Sequence, residues 1–291
     1  MKPTILIQLD ADTQPSVFDG VVAVDAGVEH LFRHGGIVPG QVRDLVFGAL
    51  FTRGGDDLKR TAIFVGGSDV AAAEAVFRAV KATFFGEFRV SALLDANGCN
   101  TTAAAAALAV IEDAKQRSGS FEGTRVAVLG ATGPVGQRVA RLLAGRGGNI
   151  AVGSRKLDRA VATAEAIRDA TGRAVRPFAT PDETAPAREL ADAELIVSAG
   201  AVGVTLLPAA VRKGLKDLRA VVDLNAVPPL GVEGIKPTDK GTERDGVRAW
   251  GALGVGGTKM KIHKKAIQEL FTSNTKVLDA EEVLALGEGL A

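Results

Sequence analysis

The segment that most restricts this chain is Arg125–Gly145, RVAVLGATGPVGQRVARLLAG, where an apolar run ends on a glycine and a helical pattern begins at about Pro134. Gly130, Gly133 and Gly136 stand in the spacing GxxGxxG. Glycine lets the backbone turn sharply and approach a pyrophosphate, whose charge then rests on the N–H groups of the helix start. Pro134 suits the first helical position, because its missing N–H would have had no partner there. A further apolar strand, Asn149–Gly153, follows at the distance that a dinucleotide-binding unit requires. The segment therefore predicts a dinucleotide loop formed by Gly130, Thr132, Gly133, Pro134, Val135 and Gly136. The plainer alternative is a glycine-rich strand-to-helix turn that holds no ligand.

The end of the next strand selects the nucleotide. A site that prefers NAD places a carboxylate there for the ribose hydroxyls, whereas this chain has Gly153-Ser154-Arg155-Lys156. A hydroxyl and two cations match the 2′-phosphate of NADP, Arg155 by its planar fork and Lys156 as a point charge. NADP is thus the expected cofactor and NAD a weaker alternative. Read without a ligand, Arg155 and Lys156 are solvated residues at a helix start, where the helix dipole disfavours cations. Ser198–Gly203 and Asp223–Pro229 follow the fourth and fifth strands of the same unit, at the carboxyl edge where such sheets bind ligands. Ala199, Gly200 and Asn225 are therefore expected beside the nicotinamide. The pair Pro228-Pro229 fixes that loop or is a plain rigid turn.

Short apolar runs alternate with helical patterns along most of the chain, the pattern of a parallel sheet with crossover helices. The first third offers Thr4–Leu9, Val21–Val24, a helix-like Gln41–Phe51, Thr61–Val65 followed by a helix over Asp69–Phe85, and Phe88–Leu94. An alanine-rich helix begins near Asn100, a good N-cap residue, and ends at Gly119. The turn-rich stretch Arg117–Thr124 marks a boundary. Beyond the glycine loop come a helix over Leu157–Ala170 and strands at Ala174–Phe178, Glu194–Ser198 and Ala220–Leu224. Then a glycine-rich run, WGALGVGGTKMKIHKK, leads into a helix through Leu270, and an amphipathic helix spans Asp279–Leu290. The expected fold is α/β with two lobes: an N-terminal substrate domain over 1–117, a Rossmann-like domain over 118–256, and C-terminal helices over 257–291 returning to the first lobe.

Composition excludes several function classes. The 35 basic and 34 acidic side chains leave a net charge of +1, which argues against a dedicated nucleic-acid or membrane-surface binder. No apolar run approaches the roughly 18 to 20 residues that cross a bilayer, and Asp10 comes too early for a signal peptide. The single cysteine, Cys99, forms no internal disulfide, which fits a reducing compartment. A cytoplasmic protein is expected, and the sequon Asn100-Thr101-Thr102 is accidental on that view. The absence of Tyr removes short-chain dehydrogenase chemistry, which needs one as acid or base.

Several longer blocks carry a resemblance. QLDADTQPSVFD, TRGG, FVGGSD, FFGEFRVSALLDANGCNTTAAA, ATGPVG, GSRKLDRA, SAGAVG, DLNAVPPLGVEGI and GALGVGGTKMKIH are similar to the NADP-dependent methylene-tetrahydromethanopterin dehydrogenases of one-carbon metabolism. The resemblance runs from residue 8 to the C-terminal helices. It implies transfer of hydride from a methylene group, held between two nitrogens of a reduced pterin carrier, to NADP. Tetrahydrofolate is a possible second carrier, and a homo-oligomer, by analogy a trimer, is expected. No metal is implied.

The family's substrate-cleft positions fall on Phe18, Thr102, Lys259 and His263. An aromatic face at Phe18 would cover the pterin, although a half-buried core Phe is the bland alternative. Thr102 lies in the first turn of the alanine-rich helix, where hydroxyls commonly serve as caps. Lys259 and His263, four apart at the start of a predicted helix, share one helix face, while Ile262, Ala266 and Leu270 line another. Otherwise the lysines from Lys259 to Lys265 are a solvated run and His263 a surface residue. Asp10, Asp12, Asp19 and Asp95 are candidates for the pterin's donor edge or else turn and cap residues. Ala131 and Cys99 depart from the family pattern, which often has Gly and Ser there. Competing readings are a folate-specific methylene dehydrogenase, a shikimate-type dehydrogenase with its Lys-Asp pair, and a non-catalytic NADP sensor.

Overall fold

The computed structural model describes residues 2–180 and 185–290. The chain falls into two units, Met1–Thr101 with Met260–Ala291, and Thr102–Lys259. The first third contains β1 (Ile5–Asp10), α1 (Val17–Asp25), β2 (His30–His34), α2 (Val42–Phe51), β3 (Thr61–Gly66), α3 (Val70–Thr83) and β4 (Ser91–Leu94). Helix α4 (Cys99–Ser118) leads on to β5 (Arg125–Leu129), α5 (Pro134–Gly145), β6 (Asn149–Ser154), α6 (Leu157–Thr171) and β7 (Arg176–Ala179). There follow α7 (Ala185–Glu189), β8 (Leu195–Ser198), α8 (Ala209–Gly214), β9 (Ala220–Asp223), β10 (Lys240–Arg244) and β11 (Val247–Trp250). The chain closes with α9 (Ala252–Glu269), β12 (Val277–Leu278) and α10 (Ala280–Glu288).

In the first unit five parallel strands lie in the order β12-β4-β3-β1-β2, so the C-terminal segment returns to this sheet as its edge strand. All six residues of β3, TAIFVG, are buried, as befits a central parallel strand covered on both faces. Ile63, Val65, Leu9 and Leu94 pack with Val46, Leu50, Val76 and Phe77 of α2 and α3 into one core. Asp69 caps α3 by accepting the Ala72 N–H, and Asp279 with Glu282 forms a capping box on α10.

The second unit has the order β10-β11-β9-β8-β5-β6-β7. From β7 to β11 the strands are parallel and follow the order 3-2-1-4-5-6 of a Rossmann sheet, with β10 antiparallel at the edge. The chain reverses its direction of winding between β5 and β8, and the crevice of such a sheet lies outside the carboxyl ends of these two strands.

Several expectations are corrected. The run Val21–Val24 is no strand: it lies in α1, where Val21 and Val24 face solvent. The second strand is instead HLFRH, largely exposed at the sheet edge and so without an apolar signature. Asn100 does not cap α4, which starts one residue earlier; the Asp95 carboxylate accepts the N–H groups of Asn100 and Thr101 at 2.9 and 3.1 Å. The Asn100 amide donates to the Leu94 carbonyl and to Asp279. The glycine-rich run after Trp250 is helical from Ala252 onward. Gly254 is required inside that helix because a Cβ would strike the Asp239 carbonyl. The β10–β11 hairpin turns on Asp245-Gly246, both at positive φ, the conformation that an Asp-Gly pair favours.

Candidate active site

The dinucleotide loop is built by close backbone approach. Gly130 follows β5 directly at φ +68°, and a Cβ there would stand 2.7 Å from the Cα of Gly200 in the loop after β8. Gly136 faces a second constraint, since its Cβ would meet the Gly130 carbonyl at 2.7 Å. Those two glycines are explained by packing alone. Gly133 is not: it has an ordinary φ of −80°, and its Cβ would find only the Gly130 and Ala199 carbonyls, at 3.6 and 3.8 Å.

Gly133 is also the N-cap of α5 and gives the helix no side-chain cap. The first N–H groups of a helix have no intrahelical partner, so those of Val135 and Gly136 remain for an anion. Pro134 holds the first helical position, and the Gln137 amide donates to the Thr132 carbonyl, which steadies the loop. The residues present fit a pyrophosphate lying over the space at Gly133.

Ser154 is buried at the end of β6 and accepts the Lys156 N–H, while Arg155 and Lys156 are exposed. Among the described residues neither cation has an ion-pair partner. Ala199 and Gly200 follow β8 and are half-buried; a Cβ on Gly200 would strike the Leu206 side chain at 2.5 Å. Asn225 is buried after β9 with its side chain engaged in its own loop, donating to the Pro229 carbonyl and accepting the Val227 N–H. Asp223 beside it is buried among the N–H groups of Val232 and Asn225 and the Ser198 hydroxyl. Burial raises its pKa, an effect the hydrogen bonds oppose.

In the first unit Phe18 and His263 come together. His263 on α9 is 0% exposed, stacked on Phe64 of β3 at 5.9 Å between ring centroids and 6.3 Å from Phe18, which is 50% exposed. His263 is therefore no surface residue, while the Phe18 ring beside it is half exposed. Aromatic pairs of this kind contribute roughly 0.5–1.5 kcal/mol beyond the burial of area. Lys259 lies one turn before His263, half-buried, in the middle of α9 and not at its start. Thr102 is half-buried in the first turn of α4 and belongs to the second unit, as does Lys259.

The four candidate aspartates separate. Asp10 takes the N–H groups of Asp12 and Ser16 and the Gln8 amide, Asp12 takes the Ser68 N–H and hydroxyl, and Asp95 caps α4. These three shape turns and a helix start. Asp19 lies buried beside Phe18, and its carboxylate and that of Asp10 converge on Gly66, whose Cβ would stand 3.6 and 3.2 Å from them.

Residues 17–97 match the family described as methylene-tetrahydromethanopterin dehydrogenase, N-terminal. Across its full length the chain is 46% identical to "Bifunctional protein MdtA" of Methylorubrum extorquens, covering 100% of both chains. The chain belongs to the methylene-tetrahydromethanopterin dehydrogenase family. A second relative from that organism, "NAD(P)-dependent methylenetetrahydromethanopterin dehydrogenase", is 32% identical over 98% of this chain and 95% of its own. The solved structure of ligand-free 5-ketofructose reductase from Gluconobacter sp. strain CHM43 covers 100% of this chain and 99% of that one, with a TM-score of 0.53 and 17% identity. That last likeness is one of fold.

For this family member, the matched N-terminal segment contains Phe18, Asp19 and Phe64, whereas the glycine loop, Thr102, Lys259 and His263 lie beyond it. Phe64, the ring beneath His263, was missed from sequence. Its run FVGG reads as a buried strand, and nothing local marks a partner on a helix so distant in the chain. Among the described residues no group of three or more His, Cys, Asp or Glu could hold a metal, and no helix is long and apolar enough to cross a membrane.

Proposed function

We propose that this chain oxidises methylene-tetrahydromethanopterin with NADP as hydride acceptor and releases the methenyl derivative. Family membership supports the reaction class, and one structural observation supports the nucleotide above the others. Gly133, at the uncapped start of α5, is a glycine that packing within the chain does not require, so its open space suits a ligand. NADP would rest its pyrophosphate on the loop from Gly130 to Gly136 and its 2′-phosphate on Arg155 and Lys156, with Ser154 beside them. NAD would bind more weakly, lacking the group that the two cations hold. Ala199, Gly200 and Asn225 would border the nicotinamide.

NADP, when bound, accepts the hydride. A carbon between two nitrogens gives up hydride readily because their lone pairs delocalise the cation that forms, and no proton need be removed. The work left to the chain is therefore to hold, orient and dry the reactants. Phe18 would cover one face of the pterin, and the Thr102 hydroxyl would bond its polar edge. Lys259 would orient the pterin through an oxygen, since a cation placed against the reacting carbon would raise the barrier. His263, fixed by Phe64, would set the ring wall on which Phe18 rests. Methylene-tetrahydrofolate is a second carrier on this reading. Residues 1–117 and 257–291 serve the carrier, residues 118–256 serve NADP, and the working form is a cytoplasmic homo-oligomer, a trimer by analogy.

The test is to supply the purified protein with each methylene carrier and each pyridine nucleotide and to follow reduced nicotinamide by absorbance. Turnover fastest with the methanopterin carrier and NADP is expected. Silence in all four combinations would overturn the reading.

A further inference from the structure

Of the chain's 12 phenylalanines, Phe47, Phe51, Phe85 and Phe88 form one surface cluster in the first unit. The Phe51 ring lies 5.4 Å from Phe47, 6.1 Å from Phe85 and 6.5 Å from Phe88, and Phe85 stacks on Phe88 at 5.2 Å. Backbone hydrogen bonds between Phe85 and Phe88 close the turn that carries those two rings. The rings thus hold one another in place, yet Phe51, Phe85 and Phe88 remain 60%, 46% and 51% exposed. With 150–250 Å² per aromatic side chain, the three leave about 300 Å² of ring surface in water, which suits the centre of an interface burying about 800 Å² per partner.

A second observation comes from α2. Asp44, Phe47, Gly48 and Phe51 are spaced to lie on one helix face. Gly48 is exposed, and a Cβ there would meet nothing within 4 Å. Glycine inside a helix is unfavourable, and no neighbour within the chain requires it. It does allow another body to come close to the helix backbone beside the rings. Two sequence blocks that the proposed site leaves unused, TRGG directly after Phe51 and FFGEF, flank this surface.

We propose that this face is where copies of this chain meet, the occupant of the aromatic patch being a second copy. The rim carries both signs, Arg43 over Phe47 and Arg89 over Phe84 against Asp44 and Glu87. A surface that holds both signs can complement itself in an assembly of identical subunits, whereas a nucleic acid or a strongly charged partner calls for one sign. The inference rests on the assembly reading given above and names its surface.

Light scattering on the size-excluded full-length protein tests it, with Gly48→Gln and Phe51→Glu/Phe88→Glu beside the wild type. Gln has the higher helix propensity and open space to occupy, so Gly48→Gln keeps the fold, checked by circular dichroism and by retained NADP binding. The expected result is a wild type at a multiple of the monomer mass and both variants at the monomer mass. An oligomer that survives both variants removes this face and leaves assembly standing; a monomeric wild type removes both.

Discussion

Gly130 and Gly200 meet backbone to backbone: a Cβ on the first would stand 2.7 Å from the Cα of the second, at a φ of +68°. Gly133, three residues on, has neither constraint. The two glycines should therefore fail differently. Gly130→Ala is expected to lose about 2–4 kcal/mol, combining left-handed strain with overpacking. Gly133→Ala should stay within about 1 kcal/mol of the wild type while its NADP affinity falls at least tenfold. Thermal melts and nucleotide titration read the two quantities separately. A Gly133→Ala protein that binds NADP as before would show that the space beside it holds no phosphate.

Arg155 and Lys156 stand exposed after the buried Ser154, with no ion-pair partner among the described residues. A charge-assisted contact to a phosphate contributes about 1.5–3 kcal/mol, or roughly 10- to 100-fold in affinity. Arg155→Ala should raise the KM for NADP by that factor and leave the KM for NAD within about twofold. Equal losses for both nucleotides would assign the arginine to something other than the 2′-phosphate.

The loop between β5 and α5 was legible in the sequence because its chemistry is local: a strand end, a left-handed glycine and a proline at the first helical position lie within a few residues. β2 was not, since an edge strand such as HLFRH needs no apolar face and pairs only through its backbone with β1. The β10–β11 hairpin carried its signal in Asp245-Gly246, but the polar strand KGTER hid it. On the candidate site, the family resemblance named Phe18 and His263 but not Phe64, the ring on which His263 stacks, because a strand-to-helix contact over so long a stretch of chain leaves no periodic trace. Asn225 was picked for its position at the sheet edge, and the structure gives its amide to Pro229 and Val227.

Lys259 and His263 share a helix but not an environment, the first half-buried and the second 0% exposed. His263→Ala should cost about 2–4 kcal/mol through the cavity left on Phe64, seen as a lower melting temperature. Lys259→Ala should stay within about 1 kcal/mol in stability while kcat falls at least tenfold, as expected of a residue that orients a reactant. Unchanged turnover would take Lys259 out of the site.

Asp239 and Arg244 tie the edge hairpin to the preceding loop. Arg244 donates through Nε and Nη2 at 3.0 and 2.5 Å, and the Lys236 N–H adds a third bond at 2.8 Å. The Arg244 guanidinium, foremost among these, holds the Asp239 carboxyl below its ordinary 3.8. A folded value below the unfolded one stabilises the protein at pH above about 3.8, and that stabilisation is lost as pH falls through the folded value. Asp239→Asn should thus be about 1–3 kcal/mol less stable than the wild type at neutral pH, and the gap should narrow on acidification below 3.8. Urea melts of the two proteins across that range measure it. A gap that stays constant with pH would mean that the substitution acts through lost hydrogen-bond shape and not through the charge on Asp239.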